Sequence, residues 1–397
     1  MRPHRPSNLL RVMPAKGATA VDVVVIGAGV IGLSCAWRLA QQGAEVTVVD
    51  DGGPAASDVA AGMLAPVTEA AFGEEPLLRL ACHAVATYPS YVDELGGSEV
   101  VPVRHEGTLS VGLTADDRAE LARLTTYRDG LGLRTEQLTR RDTREREPFL
   151  AASVGGALLA ADDLSVDNRA VRAALRAQAR AAGAEMLTGG PARLQVDAGR
   201  AVGVAVGVDE VRADVVVLAA GARSSVVDGV PEHALPPVVP VKGHVLRLRP
   251  QPGRHGPPAL THTVRALVHG REVYLVPRAD GELVVGATVE HQGLDDTVVV
   301  AAVRGLLRDA HEVLPIVDEL ALAEVSTGLR PGTPDNAPVV GWSAVPGLFV
   351  ATGHYRNGIL LSGVTGEEVA RQVAGHPPSA LWQQLGPRRF TLQEAHA

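Results

Sequence analysis

Residues 21–50 read V-D-V-V-V-I-G-A-G-V-I-G-L-S-C-A-W-R-L-A-Q-Q-G-A-E-V-T-V-V-D. Val21 to Ile26 is a β-branched run, as a strand buried in a parallel sheet requires. Gly27, Gly29 and Gly32 follow as G-x-G-x-x-G. The spacing predicts a helix over Val30 to Gln42, stopped by Gly43, and a second strand over Val46 to Val49 ending in Asp50. Each part has a mechanical task in holding a dinucleotide. Gly27 allows the tight turn, Gly29 lets a pyrophosphate approach the backbone, and Gly32 lets the helix pack on the strand. The helix start, with Val30 and Ile31, turns N–H groups and a positive dipole end on the phosphates. Asp50 is placed to accept hydrogen bonds from an adenosine ribose. The glycines alone are weak evidence; strand, helix and terminal acid in the right order make them specific. A basic N-terminus before an uncharged run from Val23 to Trp37 also looks like a secretory signal. Asp22 sits at the edge of that run, and removing it would destroy a complete βαβ unit, so the run is read as structure.

The chain has 397 residues, enough for two or more domains. Its net charge is −8, with no basic block after residue 20, so neither a nucleic-acid nor a membrane partner is expected. Two cysteines, Cys35 and Cys82, make no disulfide framework or zinc spacing; the pattern suits a reducing cytoplasm, and no metal is expected. Cys35 reads as helix packing.

Residues 1–20 read as a tail. Small residues from Ala60 to Leu64, including Ala61, Gly62 and Met63, fit either tight packing or the close passage of a bulky ligand. A helix is predicted over Pro76–Leu95 and a strand over Val100–Leu113. Polar Thr114–Gly130 should be a helix capped by Thr114, and Asp167 should cap another over Asn168–Ala182. The charge run Arg140–Arg146 reads as a solvated face. Asp214 to Ala220 is an apolar strand running into Gly221, as a return to the nucleotide-binding sheet would look. Strand after strand from Val241 to Val289 predicts an antiparallel sheet. A helix follows over Thr297–Leu314, then strands over Leu320–Ser326 and Leu348–Ala351.

Several segments together carry a family likeness: VIGAGVIG, AAGMLAP, LAAGARS, VPVKGH, YLVPR, VVGAT, GLRPGTPDNAPVVG and GHYRNGILLSG. The combination resembles the FAD-dependent D-amino acid oxidase superfamily, most closely the glycine oxidases of the thiamine pathway. The likeness runs from about Val21 to about Ala374. It implies an α/β plus α+β fold, with a Rossmann-like FAD-binding domain and a substrate domain built on a large antiparallel sheet. The expected division is 21–95, 152–235 and 322–380 for FAD, and 96–151 and 236–321 for substrate. The resemblance implies that Arg330 grips a substrate carboxylate and touches the flavin, that Tyr274 adds a hydroxyl, and that Arg356 lies beside flavin and entrance. It carries Gly353 to Leu360 past the flavin's pyrimidine end, and so assigns His354, Asn357, Gly358, Ile359 and Leu360 to the cofactor, with a helix starting near Asn357. FAD should be non-covalent, since those motifs lack a cysteine. The likeness also implies a homo-oligomer, a tetramer.

Two positions depart from the pattern. Glu272 stands where glycine oxidases often have histidine, and Val289 where some have methionine. Strand alternation puts Glu272 on the same face as Tyr274. There it either faces the substrate amine and favours its ammonium form, or pairs with an arginine or solvent. The expected reaction is oxidation of glycine, sarcosine or small D-amino acids by FAD and oxygen, feeding thiazole synthesis. A dehydrogenase with another electron acceptor, a non-catalytic flavin-binding subunit and, more remotely, an NAD dehydrogenase stay open.

Overall fold

The computed structural model describes residues 21–251 and 259–390; the expected tail lies outside them. The β-branched opening run forms the strand Asp22–Ile26, inside a six-stranded sheet. Across that sheet the order is Val339–Trp342, Leu348–Thr352, Val215–Leu218, Asp22–Ile26, Glu45–Asp50 and Glu185–Thr188. Neighbours are parallel except the first two, which are antiparallel. Alternation sorts the strand's side chains between two layers. Val23 and Val25 pack with the helices Val30–Gln41, Asn168–Ala181 and Gly358–Val373. Val24 and Ile26 face a three-stranded sheet, Ala192–Asp197, Arg200–Val206 and Asp209–Arg212. Cys35 is fully buried among the helices.

A second sheet has eight strands, in the order Ala321–Gly332, Val239–Arg249, Leu283–Gly286, Arg271–Pro277, Thr263–Val268, Thr108–Gly112, Gly156–Ala160 and Glu136–Thr139. It is antiparallel except where Thr263–Val268 runs parallel to Thr108–Gly112. One face packs the helix Val300–Val313 through Leu246, Leu248 and Leu275. The other presents Val245, Val276 and Val284 to Val59 and Ala61 from the nucleotide-binding half.

Several expectations change. The strand predicted over Val100–Leu113 is two, Val103–Arg104 and Thr108–Gly112, in different sheets. The break falls at Gly107, where a Cβ would lie 2.7 Å from Ala160 O. The strand expected to end at Ser326 continues to Gly332. It can carry Pro331 because it is the edge of its sheet, where a missing N–H breaks no ladder. Arg140–Arg146 is a short, largely exposed helix, with Thr139 accepting from Asp142 N at 3.2 Å. The boundaries expected at 152 and 322 cut across the larger sheet, since Gly156–Ala160 and Ala321–Gly332 are both strands of it. Thr114 and Asp167 cap their helices as their side chains dictate.

Candidate active site

Between the two sheets lies a cavity of about 730 Å³ that runs from the glycine turn to the face of the larger sheet turned toward the nucleotide-binding half. At its first end Gly27 has φ +108°, and a Cβ there would sit 2.5 Å from Ala219 O. A Cβ on Gly32 would run into Gly27 O, so helix and turn touch backbone to backbone. Gly29 is different: a Cβ there would meet nothing nearer than Ser57 Oγ at 3.8 Å. The space above it belongs to the cavity. The helix starting at Val30 has neither a side-chain cap nor an acid in its first turn. Ser57 Oγ is buried beside it with no partner among the described residues. Uncapped amides and an orphan hydroxyl facing one hollow fit an anionic ligand such as a pyrophosphate. Asp50 lines the same end, accepting from Ala28 N at 2.8 Å and Gly52 N at 3.0 Å. Arg172 braces the turn by donating to Ala28 O at 3.0 Å and to Asp58 at 2.7 Å.

Ala61, Gly62, Met63 and Gly221 line the middle. Buried Arg278, from the larger sheet, donates to Ala61 O and Val166 O at 2.7 Å each and pins that passage. Burial pushes its pKa down to about 10, still high enough to keep it charged at neutral pH. A second uncapped helix start, Gly358 and Ile359, also opens on the cavity, again with no acid in its first turn. His354 lies beside it, buried, with Nε2 3.0 Å from Thr365 Oγ1. Burial pushes its pKa down to about 3, so it is neutral. Three expected cofactor residues do not line the cavity. Gly32 lies beneath the turn, Asn357 sits just before the helix without bonding to its amides through its side chain, and Leu360 is 2% exposed in the core.

At the far end the strand pairing sets Val241 opposite Arg330 and Tyr274 opposite Gly286. Arg330 lies across Gly243, where a Cβ would come within 2.7 Å of its Cζ. Tyr274 lies across Gly286, where a Cβ would come within 2.6 Å of its Cε2. The glycines of VPVKGH and VVGAT thus leave bare backbone on which a guanidinium and a phenol converge. Arg330 donates to Thr288 O at 3.1 Å and contacts the Tyr274 hydroxyl. Among the described residues no carboxylate pairs with it. Burial raises the Tyr274 pKa, so the phenol stays a neutral hydroxyl. Arg356 also lines the cavity, exposed to it, beside the ring of Tyr355. Glu272 shares the Tyr274 face but stands 3.8 Å from Arg265 with its side chain 67% exposed. Pairing and solvent therefore take its charge together, and Val289 is exposed at the same rim.

The sequence profile of the FAD dependent oxidoreductases matches residues 22–372. The chain belongs to that family. Its cofactor is FAD, and the uncapped helix starts and open space over Gly29 are what such a dinucleotide needs. Glycine oxidase of Geobacillus kaustophilus is 32% identical over 356 residues, covering 88% of this chain and 92% of that one. Its crystal structure superposes with a TM-score of 0.84 at 30% identity, covering 93% of this chain and 99% of that one. The bifunctional protein ThiO/ThiG of Synechocystis is 32% identical over 377 residues, covering 94% of this chain and 54% of that one. The chain therefore spans about half the length of this relative. No helix among the described residues is long and apolar enough to cross a membrane.

Sequence reasoning missed Ser57, Arg172, Arg278, Glu69, Arg265 and the Thr288 carbonyl. Arg278 was in view inside YLVPR, and its motif position was the signal. Arg265 became visible only once the hairpin register was known.

Proposed function

We propose that the protein oxidises glycine and other small amines, such as sarcosine and small D-amino acids, with oxygen. For glycine the overall change is glycine, oxygen and water to glyoxylate, ammonia and hydrogen peroxide. The observation that carries the reading is Arg330: a guanidinium at the cavity wall, held by a carbonyl and a phenol, with no carboxylate of its own among the described residues. A bidentate charge-assisted pair with a substrate carboxylate completes it. Tyr274 adds a neutral donor beside Arg330 over the face of the sheet. Non-covalent FAD, which Gly27, Gly29, Asp50 and the helix start at Gly358 would hold, would supply the two-electron oxidising power and the reactivity with oxygen. Binding the carboxylate orients Cα, so the chain's own groups supply positioning and electrostatics and no side-chain base is required. The assigned cofactor residues, from Gly27 and Asp50 to Arg356 and Ile359, hold the dinucleotide along the cavity. The glycine oxidase and ThiO/ThiG likenesses support both the substrate and a role in making the thiazole of thiamine. The proposal includes a cytoplasmic homo-oligomer, a tetramer, as the family resemblance of the sequence motifs implies.

The test is direct. Purified protein should be yellow, acid precipitation should release its flavin, and peroxide should form with glycine, sarcosine or D-alanine. A flavin bleached by these amines without peroxide would mean a different electron acceptor. No bleaching at all would sink the substrate assignment.

A further inference from the structure

The strands Thr263–Val268 and Arg271–Pro277 join through His269 and Gly270, both with positive φ, 52° and 77°. A two-residue turn of that twist fixes the register of a hairpin. It sets Arg265 directly opposite Tyr274, and Leu267 opposite Glu272. Arg265, Glu272 and Tyr274 therefore share the face that lines the cavity. Arg265 is engaged on both sides. Its Nη1 donates to Glu69 Oε1 at 2.8 Å, and its Nη2 stands 3.8 Å from Glu272 Oε2. The first pair is mostly buried, with side chains 18% and 13% exposed.

Glu69 belongs to a segment of the nucleotide-binding half that is held by the turn after the strand Gly156–Ala160 and by the helix Ala115–Gly130. Asp163 accepts from Val67 N at 3.0 Å and from Thr68 Oγ1 at 2.7 Å, Arg128 donates to Thr68 O, and Tyr127 donates to Ala71 O at 3.0 Å. The other charged groups near Arg265 are Arg128, from the helix Ala115–Gly130, and Asp163. Arg330 and Glu69 act on Tyr274 from the neighbouring elements, and Arg356 senses Glu69 and Glu272. The carboxylates lining this end beside Tyr274 are thus both within reach of a single guanidinium.

We propose that Arg265 is a positioning residue for amine oxidation: by pairing with Glu69 and offsetting part of the charge of Glu272, it lowers the negative charge at this end and lets the substrate's amine bind uncharged. The inference rests on the amino-acid reading above. An ammonium must first give one proton to solvent. The neutral nitrogen's lone pair then forms the C=N bond as the Cα–H bond breaks and its hydrogen leaves with both electrons to the bound flavin. Bare carboxylates beside the nitrogen favour the ammonium and delay that proton loss. Strand alternation alone places Glu272 to have this effect; Arg265 and solvent reduce it.

The experiment follows flavin bleaching by glycine without oxygen, from pH 6 to 10, in the FAD-loaded protein. Arg265→Met should move the midpoint of the rate upward by about one pH unit, a roughly tenfold slower rate at pH 7, while the high-pH plateau survives. Arg265→Lys, which keeps the charge, should retain the native midpoint. Glu69→Gln added to Arg265→Met should bring the midpoint most of the way back, leaving only the effect of the solvent-exposed Glu272. A second readout needs no turnover. 2-Aminoisobutyrate has no Cα hydrogen, and the buffer dependence of its binding heat reports protons released. Native protein should release more protons than Arg265→Met at pH 7. An unchanged midpoint in Arg265→Met, or a lost plateau at the native midpoint, would overturn the proposal. Native protein bleached by none of glycine, sarcosine and D-alanine would remove the amino-acid reading, and this inference with it.

Discussion

The two ends of the cavity are built by different rules. The heart of the nucleotide end is a local object: turn, helix and terminal acid come from residues 22–50, and Gly27 and Gly32 pack backbone against backbone. The substrate end is assembled from segments far apart in the chain. Arg265 and Glu69 are separated by 196 positions, and Arg330 and Thr288 by 42. Where backbone meets backbone, at Gly27 and Gly32, no added atom is tolerated, whereas an end made of side chains can be retuned one charge at a time. The difference predicts where substitutions abolish the fold and where they alter only chemistry.

The largest effect should come from Gly32→Val, whose added carbons run into Gly27 O with no flexible neighbour to yield. We expect a loss of more than about 4 kcal/mol, at the top of the range for single changes. Thermal unfolding and flavin content after purification would show it. A stable, yellow Gly32→Val protein would break the contrast drawn above.

Arg330→Ala should leave flavin content and melting temperature nearly native. Losing a bidentate charged contact costs about 3–5 kcal/mol, so kcat/KM for glycine should fall roughly a hundredfold to a few thousandfold. Normal turnover would mean that the carboxylate is held elsewhere.

Asp163 sharpens the comparison by giving the substrate wall a pH dependence. Burial pushes its pKa up to about 6, against hydrogen bonds from Thr68 and Val67 that lower it. A folded value above the unfolded one means the native state holds the proton more tightly. The stabilisation is complete below about pH 4 and is lost as pH rises through about 6, a change on the order of 1–3 kcal/mol. Urea unfolding between pH 4 and 7 should show the decline in native protein, and Asp163→Asn should flatten it. Parallel curves for the two proteins would count against a raised value.

Gly286→Ala should have the smallest effect. One methyl displaces the Tyr274 ring, so KM for glycine should rise about tenfold, equivalent to about 1.4 kcal/mol, with flavin content unchanged. An unchanged KM would show that the ring shifts without loosening the carboxylate.

Much of this arrangement could be read from the chain before folding. Periodicity and turn chemistry placed the first βαβ unit and the caps at Thr114 and Asp167, because each depends on neighbours within a turn or two, whereas the helix start near Asn357 came from the family likeness. The short strands Glu185–Thr188 and Glu136–Thr139 escaped because short polar segments gain their strand character from a partner edge. Arg330, Tyr274 and Arg356 stood out through motif likeness, not periodicity.

The sequence by itself determined that a dinucleotide turn exists, which acid ends its second strand, and that Glu272 and Tyr274 share a face. Those facts follow from geometry repeating every two or 3.6 residues. Only the tertiary structure decided what Glu272's charge meets, that Gly243 and Gly286 make room for Arg330 and Tyr274, and that Glu69 reaches Arg265. Charge acts through space over a few ångströms, and local sequence rules do not give the distance between residues nearly two hundred positions apart.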